Sequence, residues 1–168
     1  MYIQIKNSYT FVHTNFTTMK IEEEIKSTVE LSLAKKVMLN LSYTRNVVSD
    51  RFLEILKPYD LSGEQYNVLR ILRGQKGNPA NMACIQERML AKTSNTTRLV
   101  DKLLVKELVI RKVCPENRRK MEITITDKGL AVLAELDPIV TENENAFAEK
   151  LSALELQQLN ELLEKYRS

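Results

Sequence analysis

The sequence predicts a mainly α-helical protein that carries one small β-hairpin. Apolar residues recur every three or four positions over most of the chain, which is the spacing of helices with one buried face. One such run comprises Leu99, Val100, Leu103, Leu104 and Leu108. From Val109 to Ile125 the period falls to two, as it does in strands. With 168 residues, 43% of them hydrophobic, the chain is long enough for one ordinary domain with its own core.

The chemistry-bearing residues argue against catalysis. His13 is the one histidine, and nothing around it forms the pattern of a nucleophile and its base. Cys84 and Cys114 lie far apart and show no CxxC spacing, so they predict neither a metal site nor a disulfide framework. The four glycines never cluster into a phosphate-binding loop. We therefore expect no enzyme activity, no cofactor and no metal.

The sequence also predicts a cytoplasmic protein. It has no uninterrupted run of 18 apolar residues, so no transmembrane helix is expected. Residues 1–18 lack the apolar region and the small-residue cleavage site of a secretory signal. Two cysteines outside any disulfide framework suit a reducing compartment.

Positive charge is concentrated in one part of the chain. Ten of the 25 lysines and arginines, but only four of the 22 acidic residues, lie between Asn81 and Lys120. The formal net charge of the whole chain is only +3, so this local excess carries more information than the total. A basic segment of this kind favours contact with a polyanion such as nucleic acid, although a solvated basic face has the same composition.

The N-terminal part divides into an extension and a helical region. Residues 1–18 are polar and aperiodic, and we interpret them as a flexible or partner-crossing arm. Residues 19–58 are rich in helix formers and reach their first proline at Pro58. Their apolar stripe is too long for one globular helix to bury alone. We expect a kink or break near Leu39 to Ser42, and we expect part of the stripe to face another chain.

Helix starts can be predicted at three places. Ser62 to Gln65 and Ser152 to Glu155 both form capping boxes, in which the side chains of the first and last residue satisfy free backbone amides. Thr126 or Asp127 is expected to cap a further helix. Pro138 falls inside the pattern of that helix and predicts a bend or a local break.

Between these starts lie two shorter helices and a hairpin. A helix from Asn81 to Leu90 is expected to bury Met82, Ile85 and Leu90. A tight connection, Ala91–Ser94, leads into a helix that we place at Ser94–Leu108 and call the reading helix. Two alternating runs around Pro115–Arg119 then predict a hairpin with a basic tip, the wing. Residues 59–128 thus predict a winged helix-turn-helix. A polar helix followed by a basic hairpin suits DNA, since the helix fits the major groove and the tip reaches phosphate or the minor groove.

Residues 129–168 predict two further helices. The last one has a leucine stripe made of Leu156, Leu159, Leu162 and Leu163. This stripe either packs within the chain or, together with the region 19–58, forms a symmetric dimer. The dimer is the interpretation that we favour.

Four stretches resemble the MarR family of bacterial transcriptional regulators. They are Asn95–Leu103, Leu108–Arg111, the wing segment Asn117–Arg119, and Ile125–Gly129. The resemblance extends more weakly over residues 19–168. The family commonly has aspartate where this chain has Asn117. The resemblance implies a homodimer on double-stranded, pseudo-palindromic DNA, more often a repressor, and it allows for release by a small aromatic or phenolic effector. A constitutive DNA binder without a ligand, or a winged helix that docks a protein partner, remains the alternative.

Five residues at the start and on the exposed side of the reading helix are predicted to contact DNA. Asn95, Thr97 and Arg98 are expected to read base edges, since Asn suits adenine and Arg suits guanine. Ser94 and Lys102 are expected to bind phosphate and so to position the helix. For Arg98 and Lys102 the alternative is a solvated surface charge.

Three basic residues of the wing complete the predicted DNA-binding set. Arg119, with Arg118 and Lys120 beside it, is expected to place the wing in or along the minor groove. An ion pair between Arg118 and Glu116 is the alternative for that arginine. The sequence identifies no residues for a ligand cavity.

Overall fold

A computed structural model describes residues 19–92, 95–114 and 117–168, without the side chains of Arg118 and Arg119. The elements in chain order are α1 (Ile21–Glu24), α2 (Leu33–Leu56), α3 (Gly63–Arg73), α4 (Met82–Arg88), α5 (Thr96–Val105), β1 (Val109–Cys114), β2 (Asn117–Ile125), α6 (Asp127–Ala148) and α7 (Ala153–Tyr166). β1 and β2 form an antiparallel two-stranded sheet. The predicted fold class, mainly α with a small hairpin wing, is confirmed.

The chain divides into two compact units between Asn46 and Val47. In the first unit, α2 runs through Leu39 to Ser42 without interruption, so the helix does not break there; the alternative of a kink stays a prediction. The interruption lies earlier, between α1 and α2, where Lys26 adopts a left-handed conformation with φ of 52°. The following Ser27 then bonds to its own neighbourhood, donating from its hydroxyl to the carbonyl of Val29 (2.9 Å). Serine side chains that bond locally in this way compete with helix formation.

The second unit contains one hydrophobic core. α3 contributes Val68, Leu69 and Leu72, whose spacing of three and four places them on one helix face. Residues from the other elements close the core around them; they include Leu56, Ile85, Leu103, Ile123, Leu133 and Leu136, all fully buried. A core of this size holds the hairpin and α5 in a fixed arrangement.

The predicted caps are all present. Ser62 Oγ accepts a hydrogen bond from the backbone amide of Gln65 (3.2 Å), and Gln65 Oε1 accepts one from the amide of Ser62 (2.8 Å). The same reciprocal box forms between Ser152 and Glu155. Of the two candidates at the start of α6, Thr126 is the cap, since its hydroxyl accepts from the amide of Gly129 (3.1 Å).

Pro138 does not break its helix. α6 continues from Asp127 to Ala148 with Pro138 inside it. The neighbouring residue, Asp137, accepts two hydrogen bonds from the guanidinium of Arg73 on α3, at 2.6 and 3.2 Å. This bidentate ion pair fastens the proline-containing turn to α3, which helps to explain why the helix is continuous there.

The predicted burial of Leu90 is wrong. α4 ends at Arg88, and Met89 has the extended backbone of a C-cap residue, with φ −64° and ψ 135°. Met89 is 1% exposed and occupies the core position, whereas Leu90 is 89% exposed. The helical spacing no longer applies once the backbone becomes extended, so the two side chains exchange roles.

Candidate nucleic-acid interface

α5 is the amphipathic helix that the sequence places at the centre of the DNA-binding part. Thr96, Val100 and Leu103 form its buried face. The helix covers Thr96–Val105, which is shorter at both ends than the predicted Ser94–Leu108. Leu108 is nevertheless buried, because the chain turns back after α5 to begin the wing.

Asn95 is the N-cap of α5 and does not lie within the helix. Its Oδ1 accepts a hydrogen bond from the backbone amide of Arg98 (3.1 Å). The amide oxygen therefore satisfies one of the free backbone donors at the helix start, while Nδ2 is the group that can donate outward. Ser94, the other predicted contact at this end, lies outside the described residues.

The exposed face of α5 carries Thr97, Arg98, Asp101 and Lys102. The helical steps of 100° place Arg98 opposite the buried face, Thr97 and Asp101 on one flank, and Lys102 on the other. Lys102 lies on the side of Asp60. The pKa of Asp60 lies below its ordinary value. Lys106 is the main cause, through a hydrogen bond and through its charge, and the charge of Lys102 makes a smaller contribution.

An acidic residue on this face is paired with the wing. Asp101 Oδ1 lies 2.9 Å from Nη1 of Arg111 on β1, and both side chains are partly exposed. A lone carboxylate beside the DNA backbone would repel phosphate, so its neutralisation by Arg111 keeps the face of α5 suitable for a polyanion. This pair could not be predicted from the sequence, because no local spacing links a helix residue to a strand residue ten positions later.

Gln86 of α4 fixes the start of α5. Its Oε1 accepts a hydrogen bond from the hydroxyl of the buried Thr96, and its Nε2 donates to the carbonyl of Lys92 (2.7 Å). Lys92 also donates from its ammonium to the carbonyl of Glu87. These bonds join the end of α4, the connection and the first turn of α5, so the angle at which α5 is presented depends on them. Sequence reasoning missed this role of Gln86.

The wing is regular at its base and irregular near its tip. Val109 pairs with Ile125 and Val113 with Met121, but Cys114 pairs with Asn117. This register shift lies between Val113 and Cys114, next to the three basic residues 118–120. Lys120 is exposed. The backbones of Arg118 and Arg119 belong to β2, whereas their side chains, and the whole of Glu116, lie outside the described part.

The base of the wing is anchored in the core. Ile123 is fully buried, and its backbone exchanges two hydrogen bonds with Ala80, at 2.8 and 2.9 Å. Thr126 donates from its hydroxyl to the carbonyl of Glu107 (2.8 Å), which closes the other end of the hairpin. The basic segment thus projects from a fixed support.

A short two-helix unit followed by an anchored hairpin defines the class of winged-helix proteins. A sequence model of the MarR family matches residues 61–121. The chain is 28% identical over 130 residues to the HTH-type transcriptional regulator MhqR of Bacillus subtilis, a match that covers 77% of this chain and 88% of that protein.

Solved structures give the same assignment. The crystal structure of a MarR transcription factor from Planctomyces limnophilus is 34% identical, has a TM-score of 0.63, and is matched over 81% of this chain and 98% of that one. The transcriptional repressor CouR bound to a 23-mer DNA duplex is 25% identical with a TM-score of 0.67, over 83% of this chain and 100% of that one. The chain belongs to the MarR family, and it is a DNA-binding transcriptional regulator.

Within the described residues, no helix is both long enough and apolar enough to cross a membrane.

Proposed function

We propose that this protein is a cytoplasmic, sequence-specific repressor that binds a pseudo-palindromic operator as a homodimer and is released by a small aromatic or phenolic effector. The exposed face of α5 is the main observation that supports DNA binding. It presents Thr97, Arg98 and Lys102 to solvent, with its one carboxylate, Asp101, already paired to Arg111. The repressor role and the effector rest on the family alone.

In the proposed complex α5 enters the major groove. Thr97 and Arg98 read base edges, and Arg98 suits the two acceptors of guanine. Asn95 donates from Nδ2, since its Oδ1 is held by the cap. Ser94 and Lys102 bind phosphate and fix the register of the helix on the duplex.

The wing makes the second set of contacts. The basic run Arg118, Arg119 and Lys120 follows the minor groove or its phosphates. The register of the hairpin shifts between Val113 and Cys114, next to this basic run. In this arrangement residues 59–128 form the DNA-binding domain.

The homodimer places two copies of α5 on successive major grooves, about 34–36 Å apart. We assign dimerisation to residues 19–58 and 129–168, and we assign residues 1–18 to an arm. Apolar side chains on α7 support this, since Leu154 is 65% and Leu162 62% exposed on the isolated chain. A leucine stripe that is half open to water in one chain is a surface that a second chain can cover.

The test is fluorescence anisotropy with duplexes tiled across the upstream region of the protein's own gene, in excess nonspecific DNA and at several salt concentrations. Saturable binding to one duplex that survives the competitor is expected, because specific affinity exceeds nonspecific affinity by roughly three or more orders of magnitude. Equal, weak binding to every duplex that modest salt abolishes would contradict the proposal. Sedimentation equilibrium of the free protein tests the dimer.

A further inference from the structure

Two apolar side chains on the outer half of the wing are partly open to solvent. Val113 on β1 is 51% exposed, and its partner across the hairpin, Met121 on β2, is half-buried. The buried residues of the hairpin, Val109, Ile123 and Ile125, lie nearer its base. The core therefore covers the base of the wing, and the apolar pair Val113 and Met121 lies beyond it.

The apolar pair lies on the face of the wing that is turned toward α5. Side chains alternate between the two faces of a strand, so Arg111 and Val113 share one face of β1 and Ile110 lies on the other. Met121, directly opposite Val113, shares its face. Arg111 reaches Asp101 of α5 from this face, with 2.9 Å between Nη1 and Oδ1. Val113 follows two residues later, about 7 Å further toward the tip.

The apolar pair also lies between the two parts of the surface that are proposed to contact DNA. On one side is α5, to which this face of the wing is joined through Arg111. On the other side is the basic run Arg118–Lys120, which directly precedes Met121 on β2. A duplex that contacts α5 and the basic run at the same time therefore passes over the apolar pair.

The part of the duplex that lies there follows from the shape of DNA. α5 is assigned to the major groove and the basic run to the adjacent minor groove, and one sugar–phosphate strand separates two neighbouring grooves. The phosphates of that strand bind cations and hydrogen-bond donors, whereas its deoxyribose rings present C–H groups. Val113 and Met121 carry neither a charge nor a hydrogen-bond donor, so they suit the sugar rather than the phosphate.

We propose that Val113 and Met121 pack against deoxyribose of the strand that separates the two grooves. This inference rests on the proposed function, because it needs α5 and the wing on the same duplex. The contact buries apolar surface, displaces no counterions and carries no information about the bases. It holds the wing against the strand and so positions the basic run beside the minor groove.

Val113→Thr tests the contact by fluorescence anisotropy at several salt concentrations. Threonine keeps the branched shape and the strand preference of valine, but it places a hydroxyl where the sugar packs. The affinity is expected to fall roughly threefold to tenfold at every salt concentration, with an unchanged slope of log K against log salt. The loss should be the same on the operator and on operators with one base pair changed. An unchanged affinity, or a loss confined to one base sequence, would overturn the proposal.

Ile110→Thr is the matched control. Ile110 lies on the same strand and is 41% exposed, but it is on the opposite face of the hairpin. A threonine there should leave the DNA affinity unchanged. Equal losses in the two variants would overturn the assignment to one face. An exposed apolar patch can also be a contact between protein chains, so the free proteins are compared by sedimentation. If Val113→Thr dissociates an oligomer, the pair is a protein contact and the proposal is wrong.

NMR spectroscopy observes the contact directly, with ¹³C-labelled valine and methionine methyl groups in the full-length protein. Nuclear Overhauser effects are expected between the Val113 methyl groups and sugar protons of the bound duplex. Val113 methyl signals that keep their free-protein positions in the complex would overturn the proposal. Weak and equal binding to every duplex would instead refute the proposed function, and the same methyl signals on one random-sequence duplex would then decide this inference separately. A protein that binds no duplex would refute both.

Discussion

Gly129 lies in the first turn of α6, where the end of the wing passes closest to it. A Cβ at this position would overlap the carbonyl oxygen of Leu108 and would lie 2.8 Å from Cγ1 of Ile125. The Leu108 carbonyl accepts a hydrogen bond from the amide of Thr126 (3.1 Å), so it cannot move without disturbing the junction of β2 and α6. We therefore predict that Gly129→Ala destabilises the protein through steric overlap.

The loss in the free energy of unfolding can be worked from two opposing effects. Overpacking against a backbone atom costs about 3 kcal/mol, the upper part of the usual range. Alanine regains up to about 1 kcal/mol relative to glycine within a helix. The net loss is about 2 kcal/mol, which lowers Tm by roughly 4–8 °C for a domain of this size.

The assay is urea and thermal unfolding followed by circular dichroism at one fixed protein concentration, because a dimer's apparent stability depends on concentration. Gly63→Ala is the matched control. A Cβ there would meet Phe52 Cε1 at 3.6 Å, an ordinary contact, so its Tm should be unchanged or slightly raised. If Gly129→Ala unfolds at the same midpoint as Gly63→Ala, the steric argument is refuted.

Three further predictions follow from the interface and its supports. Lys102→Ala should weaken binding to all duplexes alike and reduce the slope of log K against log salt by about one, as anisotropy would measure; an unchanged slope would exclude a phosphate contact. Thr96→Val removes the buried hydroxyl that donates to Gln86, and it should lower the free energy of unfolding in urea by about 1 kcal/mol. An unchanged free energy of unfolding would mean that this hydrogen bond does not hold α5. Lys106 lowers the pKa of Asp60, so this ion pair stabilises the fold at pH values above the ordinary pKa of aspartate, and the stabilisation is lost as the pH falls below about 4. Lys106→Met should remove that part of the pH dependence, as acid unfolding would measure.

Features that depend on neighbouring residues in sequence could be predicted. The two capping boxes and the Thr126 cap need only a side chain and an amide three residues apart, so Ser62–Gln65 and Ser152–Glu155 were recognisable from residue type and spacing. The hairpin and the amphipathic face of α5 were predictable for the same reason, since each rests on one period. The resemblance to the MarR family rests on this same helix-and-hairpin segment.

Features that depend on the third dimension could not be predicted. Nothing local distinguishes Met89 from Leu90, and the choice of which is buried depends on a single extended residue at the end of α4. The register shift in the wing depends on how the two strands pair. The alternation of apolar and polar residues in each strand does not reveal which residues face each other across the hairpin. The pairing of Asp101 with Arg111 likewise needs the packing of β1 beside α5.

The most direct test of the central claim is the base preference of Arg98→Ala. Anisotropy would measure its affinity for the operator, for operators with one base pair changed at each position, and for nonspecific DNA. If α5 reads the major groove, the variant should lose about 1–3 kcal/mol on the operator and lose discrimination at one position of each half-site, while its nonspecific affinity changes little beyond the loss of one charge. An unchanged affinity and an unchanged preference at every position would contradict the assignment of α5 as the element that reads DNA.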